Sequence, residues 1–275
     1  MKRRIVSAAL SALLAAALTA CGPAPAEPTA TPEPTPTVTP TPTPEPTPEP
    51  LVDPVLSSRN FAETYTADDG TVVLTVSYTL PDFENKGDSK VLTAIADWYE
   101  EEGESLLDSA RTRSADAKSD YEVSTAAGIE FSPVLEEIKS ELSYQSDGVL
   151  SFRREFYAGG AGMAHPTVLR MGEQFARTDG HKLTFADCVT DGLAATDVAL
   201  SYLTTHGTVG ELVSAGTVTA DAVEAAFQPD HFYLTEEGFT FWFQPGELSG
   251  VSGNSPIETV VPYSVFEELL QAWIV

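Results

Sequence analysis

Apolar residues alternate with polar ones in several short stretches of the chain. In the range 71–80 the apolar residues occupy every second position: Val72, Leu74, Val76, Tyr78 and Leu80. This period of two is typical of a strand with one buried face. Similar stretches flank the turn sequences Ser146-Asp147-Gly148 and Thr235-Glu236-Glu237-Gly238, and each pair predicts an antiparallel hairpin. Further strands are predicted at 167–177 and 257–261.

Other stretches space their apolar residues three or four positions apart, as a helix does. The longest runs from 88 to 110, with Asp88 or Ser89 as its N-cap. Its opposite face is rich in Glu, and that face is more readily interpreted as solvated than as a metal site. Shorter helices are predicted at 193–205 and 219–227. A last one begins at the capping box of Ser264 and Glu267.

The order of these elements predicts an α+β fold. Runs of strands are broken by helices, without the regular strand–helix–strand alternation of a parallel sheet. We therefore expect antiparallel sheets, built from several hairpins and packed against a long N-terminal helix and a short C-terminal helix. The globular part is predicted to comprise an N-terminal lobe, residues 51–135, and a C-terminal lobe, residues 136–275.

The first 20 residues have the pattern of a secretory signal peptide. A basic start at positions 2–4 precedes an uncharged run rich in Ala and Leu, which is shorter than the roughly 20 residues of a membrane span. The run ends in Leu18-Thr19-Ala20-Cys21, which resembles the lipobox of bacterial lipoproteins. Lipid on Cys21 would hold the protein at the extracytoplasmic face of the cell membrane. The alternative is an ordinary secretory signal with a chance cysteine.

After Cys21, residues 22–50 consist almost entirely of Pro, Thr, Glu and Ala. Proline fixes the backbone in an extended conformation and the segment has no apolar face, so the range 21–50 is predicted to form a lipidated stalk of polyproline-II type. The second cysteine, Cys188, then has no partner for an intramolecular disulfide. Its apolar neighbours predict a buried, inert thiol.

The chain is strongly acidic, with 41 Asp and Glu against 15 Lys and Arg and a formal net charge of −26. This charge disfavours nucleic acid and anionic lipid as partners, and it attracts cationic proteins, cationic peptides or divalent metals. A simpler interpretation is that the charge keeps a surface protein soluble. The net charge therefore indicates the kind of surroundings in which the protein works, and it does not identify a chemical mechanism.

No complete motif for catalysis or cofactor binding occurs in the sequence. Gly-x-Ser-x-Gly, Ser-x-x-Lys, His-Glu-x-x-His, the Walker loop and Gly-x-Gly-x-x-Gly are all absent. The four histidines offer few ligands for zinc. We therefore predict no catalytic residue, no metal site and no cofactor.

A glycine-rich loop is the first candidate for ligand contact. Gly159 and Gly160 allow a close approach of backbone to ligand, with Tyr157 and His165 at the two ends of the loop. In the plainer interpretation the loop is a structural connection, and His165 hydrogen-bonds to a buried carbonyl.

Trp242 is the second candidate for ligand contact. Alternation along 239–244 places it on a polar face with Thr240 and Gln244, where a Trp can contact carbohydrate or protein. Coverage by a neighbouring helix is the alternative.

Four short motifs in the second half carry a family resemblance. They are Ala164-His165-Pro166, the ranges 180–187 and 232–239, and Val261-Pro262-Tyr263-Ser264. Residues 140–273 resemble a domain of unknown function found in the extracellular part of a lysozyme-sensing anti-sigma factor and in the N-terminal region of a membrane-anchored peptidoglycan deacetylase. Residues 61–121 resemble, more weakly, its companion domain. The extra Gly162-Met163-Ala164 lengthens the glycine loop relative to the family pattern.

The resemblance implies extracellular binding, to lysozyme or to wall glycan. Since no sigma-binding segment or deacetylase domain is recognised in the sequence, neither activity is expected. The hypothesis is thus a surface-anchored, non-enzymatic binding lipoprotein that recognises lysozyme or peptidoglycan. A cell-wall-active enzyme using carboxylate acid–base chemistry is the alternative, and a solute-binding lipoprotein is less consistent with the order of elements.

Overall fold

The computed structural model describes residues 51–161 and 165–275. The predicted signal peptide, the lipidation site Cys21, the stalk and the insertion Gly162-Met163-Ala164 lie outside the described residues. Within the described ranges, no helix has the length and apolar character needed to cross a membrane.

Six strands form the larger sheet, in the order β1-β2-β3-β4-β5-β6. They are β1 (Leu56–Thr66), β2 (Val72–Phe83), β3 (Val134–Gln145), β4 (Val149–Gly159), β5 (Thr167–Ala176) and β6 (Lys182–Leu183). Neighbouring strands are antiparallel except β2 and β3, which run parallel. A parallel pair needs a long crossover, and helix α1 (Lys90–Ala126) supplies it. Strands from both sides of the predicted lobe boundary therefore pair in one sheet.

Helix α1 covers one face of this sheet and extends well beyond its predicted end at Ala110. Its buried side begins with large residues such as Ile95 and Tyr99 and continues with small ones such as Ser114 and Ala117. Small residues give a weak apolar signal, which is why the sequence pattern underestimates the helix length. Ser89, one of the two predicted caps, accepts a hydrogen bond from the Leu92 N–H at 3.4 Å.

Three antiparallel strands form a second sheet in the order β7-β8-β9. They are β7 (Phe232–Leu234), β8 (Gly238–Phe243) and β9 (Ile257–Pro262). The helices between and after the strands are α2 (Gly192–Leu203), α3 (Gly207–Ser214), α4 (Ala220–Ala226) and α5 (Tyr263–Phe266). Short 3₁₀ turns lie at Lys86–Asp88, Phe185–Cys188 and Glu267–Leu269. The predicted α+β class, with its long first helix and short last helix, is confirmed.

Three apolar cores result from this arrangement. The first lies between α1 and the six-stranded sheet, and the second lies between the second sheet and α2. A smaller third core contains Val209 of α3, Val223 of α4 and Phe243 of β8. Cys188 is fully buried in the second core, as predicted. Burial raises the pKa of its thiol well above the ordinary value. This cysteine therefore packs as a small apolar residue.

The predicted capping box at the C-terminal helix is wrong. Pro262 occupies the N-cap position of α5, and no side chain caps the helix. The helix ends after one turn because Glu267 has φ of 46°, which takes the backbone off the helical path. Phe266, within this short helix, is nevertheless buried.

Arg177 fixes the N-terminal entry of the described chain to the larger sheet. Its buried guanidinium donates to the Val52 carbonyl at 3.0 Å and to Asp53 Oδ1 at 2.9 Å. A third hydrogen bond, at 2.8 Å, goes to the Ser146 carbonyl in the β3–β4 turn. We call this contact the Arg177 clasp. It connects residues that are far apart in sequence, so the start of β1 is held against the end of β5.

Candidate ligand-binding cleft

The two faces of β3 and β4 have different chemistry because side chains alternate along each strand. On the α1 side, Ile138 and Phe152 belong to the apolar core. The opposite face carries a polar set: Glu137, Lys139, Glu141, Arg153, Glu155 and Tyr157. We call this surface the polar face of the larger sheet.

The second sheet lies against part of this polar face. The Ser151 hydroxyl accepts a hydrogen bond from the Leu234 N–H at 2.9 Å, and Gln174 Nε2 donates to the Phe232 carbonyl at 2.9 Å. Gly172 permits the contact, since a Cβ at this position would lie only 2.5 Å from the Phe232 carbonyl oxygen. Side chains of the larger sheet thus form hydrogen bonds with backbone groups of β7 in place of water.

An open cleft of about 470 Å³ remains beside this contact. Six of the residues that line it are Ser143, Tyr233, Glu236, Glu237, Thr240 and Glu258. Three of these carry carboxylates, and none is basic. We call it the acidic cleft. A smaller recess of about 200 Å³ lies farther along the polar face, where Tyr157 meets Glu137, Lys139 and Glu155.

The three carboxylates of the acidic cleft differ in their surroundings. Glu258 is held by the buried Arg170, whose Nε lies 2.5 Å from Glu258 Oε1. Glu236 and Glu237 are exposed at the β7–β8 turn. Among the described residues, neither of these two side chains forms an ion pair. The cleft therefore contains one fixed carboxylate and two whose charge is free to meet a ligand.

Tyr233 is almost fully buried at the cleft, with 6 % of its surface exposed. Burial raises the pKa of its phenol, and the negative charge of Glu258 raises it further. The phenol therefore stays protonated at neutral pH. The guanidinium of Arg153 lies over the Tyr233 ring, 5.9 Å from the centroid, and forms an ion pair with Glu141 at 3.2 Å.

Four buried polar atoms around the contact between the sheets have no hydrogen-bond partner in the described structure. They are Arg170 Nη1, His231 Nδ1, Thr240 Oγ1 and Trp242 Nε1. Most buried polar atoms in folded proteins are hydrogen-bonded, and a few exceptions per hundred residues are ordinary. Only Thr240 belongs to a residue that lines the acidic cleft.

The residues predicted to contact a ligand are placed in different surroundings. Tyr157 lines the smaller recess. Gly159 ends β4, and its missing side chain leaves room for the Tyr157 ring and hydroxyl. Gly160 follows directly, and His165 is exposed. The loop residues thus lie beyond one end of β4.

Trp242 is 4 % exposed and stacks between His231 and Tyr233, with centroid distances of 5.4 and 6.1 Å. Its ring packs against Gly172 of β5, so a sheet rather than a helix covers it. Neither Tyr157 nor Trp242 lines the acidic cleft, although Trp242 supports the Tyr233 ring that does.

Sequence reasoning assigned Glu236 and Glu237 only to a turn and did not single out Glu258. Two adjacent carboxylates at a hairpin turn do not by themselves predict a binding site. Glu258 faces the same side of the second sheet as Thr240 because Thr240 pairs with Val260 and Trp242 pairs with Glu258. This cross-strand register is what brings the acidic residues together.

The fold has counterparts among solved structures. A crystal structure of a DUF3298 family member from Bacteroides fragilis aligns with a TM-score of 0.54 and 16 % identity, over 82 % of this chain and 96 % of that chain. A DUF3298 family protein from Pseudomonas aeruginosa aligns with a TM-score of 0.50 and 18 % identity, over 82 % and 98 %. The likeness is one of fold. No family model matches the sequence, and no curated protein matches it either.

Proposed function

We propose that this chain is a surface-anchored, non-enzymatic binding lipoprotein that recognises a cationic partner such as lysozyme, with peptidoglycan as the other candidate ligand. Lipid on Cys21 would supply the anchor and residues 22–50 the spacer. The shared fold supports a relationship to the DUF3298 family, and the sequence motifs support the more specific likeness to its extracellular sensing and wall-associated members. The acidic cleft is the observation that carries the proposal.

The charge of the described part supports a cationic partner. Residues 51–275 carry 12 Lys and Arg against 37 Asp and Glu. A field of that sign accelerates association with basic proteins over distances of about one Debye length, roughly 8 Å at 0.15 M salt. Specificity needs more than the field, and the acidic cleft concentrates unpaired carboxylates at one concave place.

We propose binding without turnover rather than carboxylate catalysis. A general acid requires a carboxyl group whose pKa is raised toward neutral pH. Hydrogen bonds instead lower the pKa of Asp69, Asp179 and Asp187, with donors from Tyr121, the His181 N–H and Thr184. These carboxylates serve turns and a helix cap. In the described residues, no group of three or more His, Cys, Asp or Glu is arranged to hold a metal.

The test is a titration of the full chain, in detergent, with lysozyme and with purified peptidoglycan at low salt and at about 0.15 M salt. We expect saturable lysozyme binding that persists at the higher salt and weakens about tenfold in Glu236→Gln/Glu237→Gln. Glu101→Gln/Glu104→Gln is the matched control, since it removes two exposed charges on α1, across the larger sheet. Equal losses of lysozyme affinity in the two double variants would show that binding depends on net charge alone and not on the acidic cleft.

The enzymatic alternative has its own readout. Release of soluble fragments from purified peptidoglycan, abolished by Glu258→Gln, would overturn the proposal of binding without turnover. If peptidoglycan binds saturably and lysozyme does not, the ligand of the module is the wall itself.

A further inference from the structure

The acidic cleft contains hydrogen-bond acceptors that have no donor within the described structure. The carboxylates of Glu236 and Glu237 have no ion-pair partner among the described residues, and Glu258 is bonded to Arg170 through one oxygen. Thr240 is 97 % buried, and its Oγ1 makes no hydrogen bond of normal length in the described structure, although it lies close enough to the Tyr233 hydroxyl to lower the pKa of that phenol. A buried hydroxyl without a partner costs free energy unless a ligand or water satisfies it. The set as a whole suits a ligand that brings N–H donors and positive charge.

The protein already holds a guanidinium against Tyr233, one of the residues that line this cleft. Arg153 lies over the face of Tyr233 at 5.9 Å and pairs with the Glu141 carboxylate at 3.2 Å. An aromatic face combined with a carboxylate is a general way to bind guanidinium. The Arg153 side chain is 32 % exposed, so the contact is not buried in the core.

From this geometry we infer that the acidic cleft binds the basic side chain of a polypeptide ligand, an arginine in preference to a lysine, with Arg153 competing for the Tyr233 ring. Arginine is preferred because its planar guanidinium can stack on the ring while its N–H groups donate to several acceptors at once. The inference rests on the proposed binding function and deepens it by giving the chemistry of the partner surface.

Other ligand classes fit the cleft less well. Three carboxylates repel an anion such as phosphate, and the Arg170 guanidinium lies behind Glu258. A neutral saccharide gains nothing from uncompensated carboxylates beyond ordinary hydrogen bonds. A comparison between a charged and a neutral probe of equal shape therefore separates these classes.

The probe pair is acetyl-Gly-Arg-Gly-amide and its citrulline counterpart, which has nearly the same shape without the positive charge. Calorimetric titration of the full chain at about 0.15 M salt is expected to give at least about tenfold tighter binding of the arginine peptide. Equal affinity for the two peptides would overturn the inference, because the cleft would then recognise shape or amide groups rather than charge.

Variants locate the site and give changes of opposite sign. Glu236→Gln/Glu237→Gln is expected to weaken the arginine peptide about tenfold, whereas Glu101→Gln/Glu104→Gln changes it less than about twofold. Arg153→Met removes the competitor and is expected to strengthen binding severalfold. Weaker binding in Arg153→Met, or equal losses in the two double variants, would show that the peptide binds elsewhere.

Failure of this inference and failure of the proposed function are distinguishable. Lysozyme binding that survives without any arginine preference would leave the binding module standing and remove the cleft as its arginine site. Arginine-selective binding in a chain that does not bind lysozyme would keep the inference and remove lysozyme as the partner.

Discussion

Replacing Arg154 with methionine is expected to destabilise the fold by about 3–5 kcal/mol. Arg154 and Glu173 are each only 3 % exposed in their side chains, and they lie between α1 and the larger sheet. The Arg154 Nε and Nη2 atoms reach the two Glu173 carboxylate oxygens at 3.0 and 2.5 Å. Two further hydrogen bonds, at 3.0 and 3.1 Å, go to Glu102 on α1.

The size of the loss follows from what the substitution leaves behind. Methionine fills much of the same space, so the cost comes mainly from a buried Glu173 carboxylate without a cation. The Tyr99 hydroxyl, 3.4 Å away, is its one remaining neutral donor in the described structure. Replacing Glu173 as well, in Arg154→Met/Glu173→Leu, removes the stranded charge. We expect the double variant to recover most of the stability, because apolar replacement of a buried pair is often neutral.

The assay is urea unfolding at pH 7, followed by circular dichroism, with the free energy of unfolding extrapolated to water. A loss below about 1 kcal/mol, or a double variant less stable than the single one, would refute this reasoning.

Three further outcomes are expected. Gly172→Ala should cost about 1–3 kcal/mol through overpacking against Phe232, whereas Gly253→Ala, with open space around it, should change the thermal midpoint little. The Cys188 thiol should resist alkylation at pH 8 in the native protein and react readily in urea, since burial raises its pKa; native-state labelling at the rate of a free thiol would contradict this. Burial and Glu63 raise the pKa of Tyr65 to about 12. Stability should thus fall between pH 10 and 12 in wild type, and the fall should be smaller in Tyr65→Phe.

Local patterns in the sequence predicted local structure well. The period-two stretch from Val72 to Leu80 lies in β2, and the helix predicted at 219–227 forms as α4, with the Thr219 side chain as its cap. Strand β1 gave little signal because it lies at the sheet edge and buries mainly Phe61. Helix α3 was not predicted, since two glycines interrupt its short sequence. In both cases tertiary packing, rather than local preference, decides the conformation.

The acidic cleft could not be predicted in the same way, because it depends on register. Glu236, at one hairpin turn, approaches Glu258 on β9 only through the pairing of β8 with β9. The alternation that put Thr240 and Trp242 on one face was correct, but it did not show that the larger sheet lies over Trp242. The sequence shows which side chains share one face of a strand. It does not show which other element packs against that face.

If lipid on Cys21 anchors the chain, as proposed, the Arg177 clasp has a mechanical consequence. A pull applied at residue 51 reaches the hydrogen bonds at Val52 and Asp53 before it reaches the first residue of β1. Since Arg177 is also bonded to the β3–β4 turn, tension is passed to the interior of the larger sheet. With the proposed anchor, the clasp would therefore take up tension before the edge strand β1 is pulled away from β2.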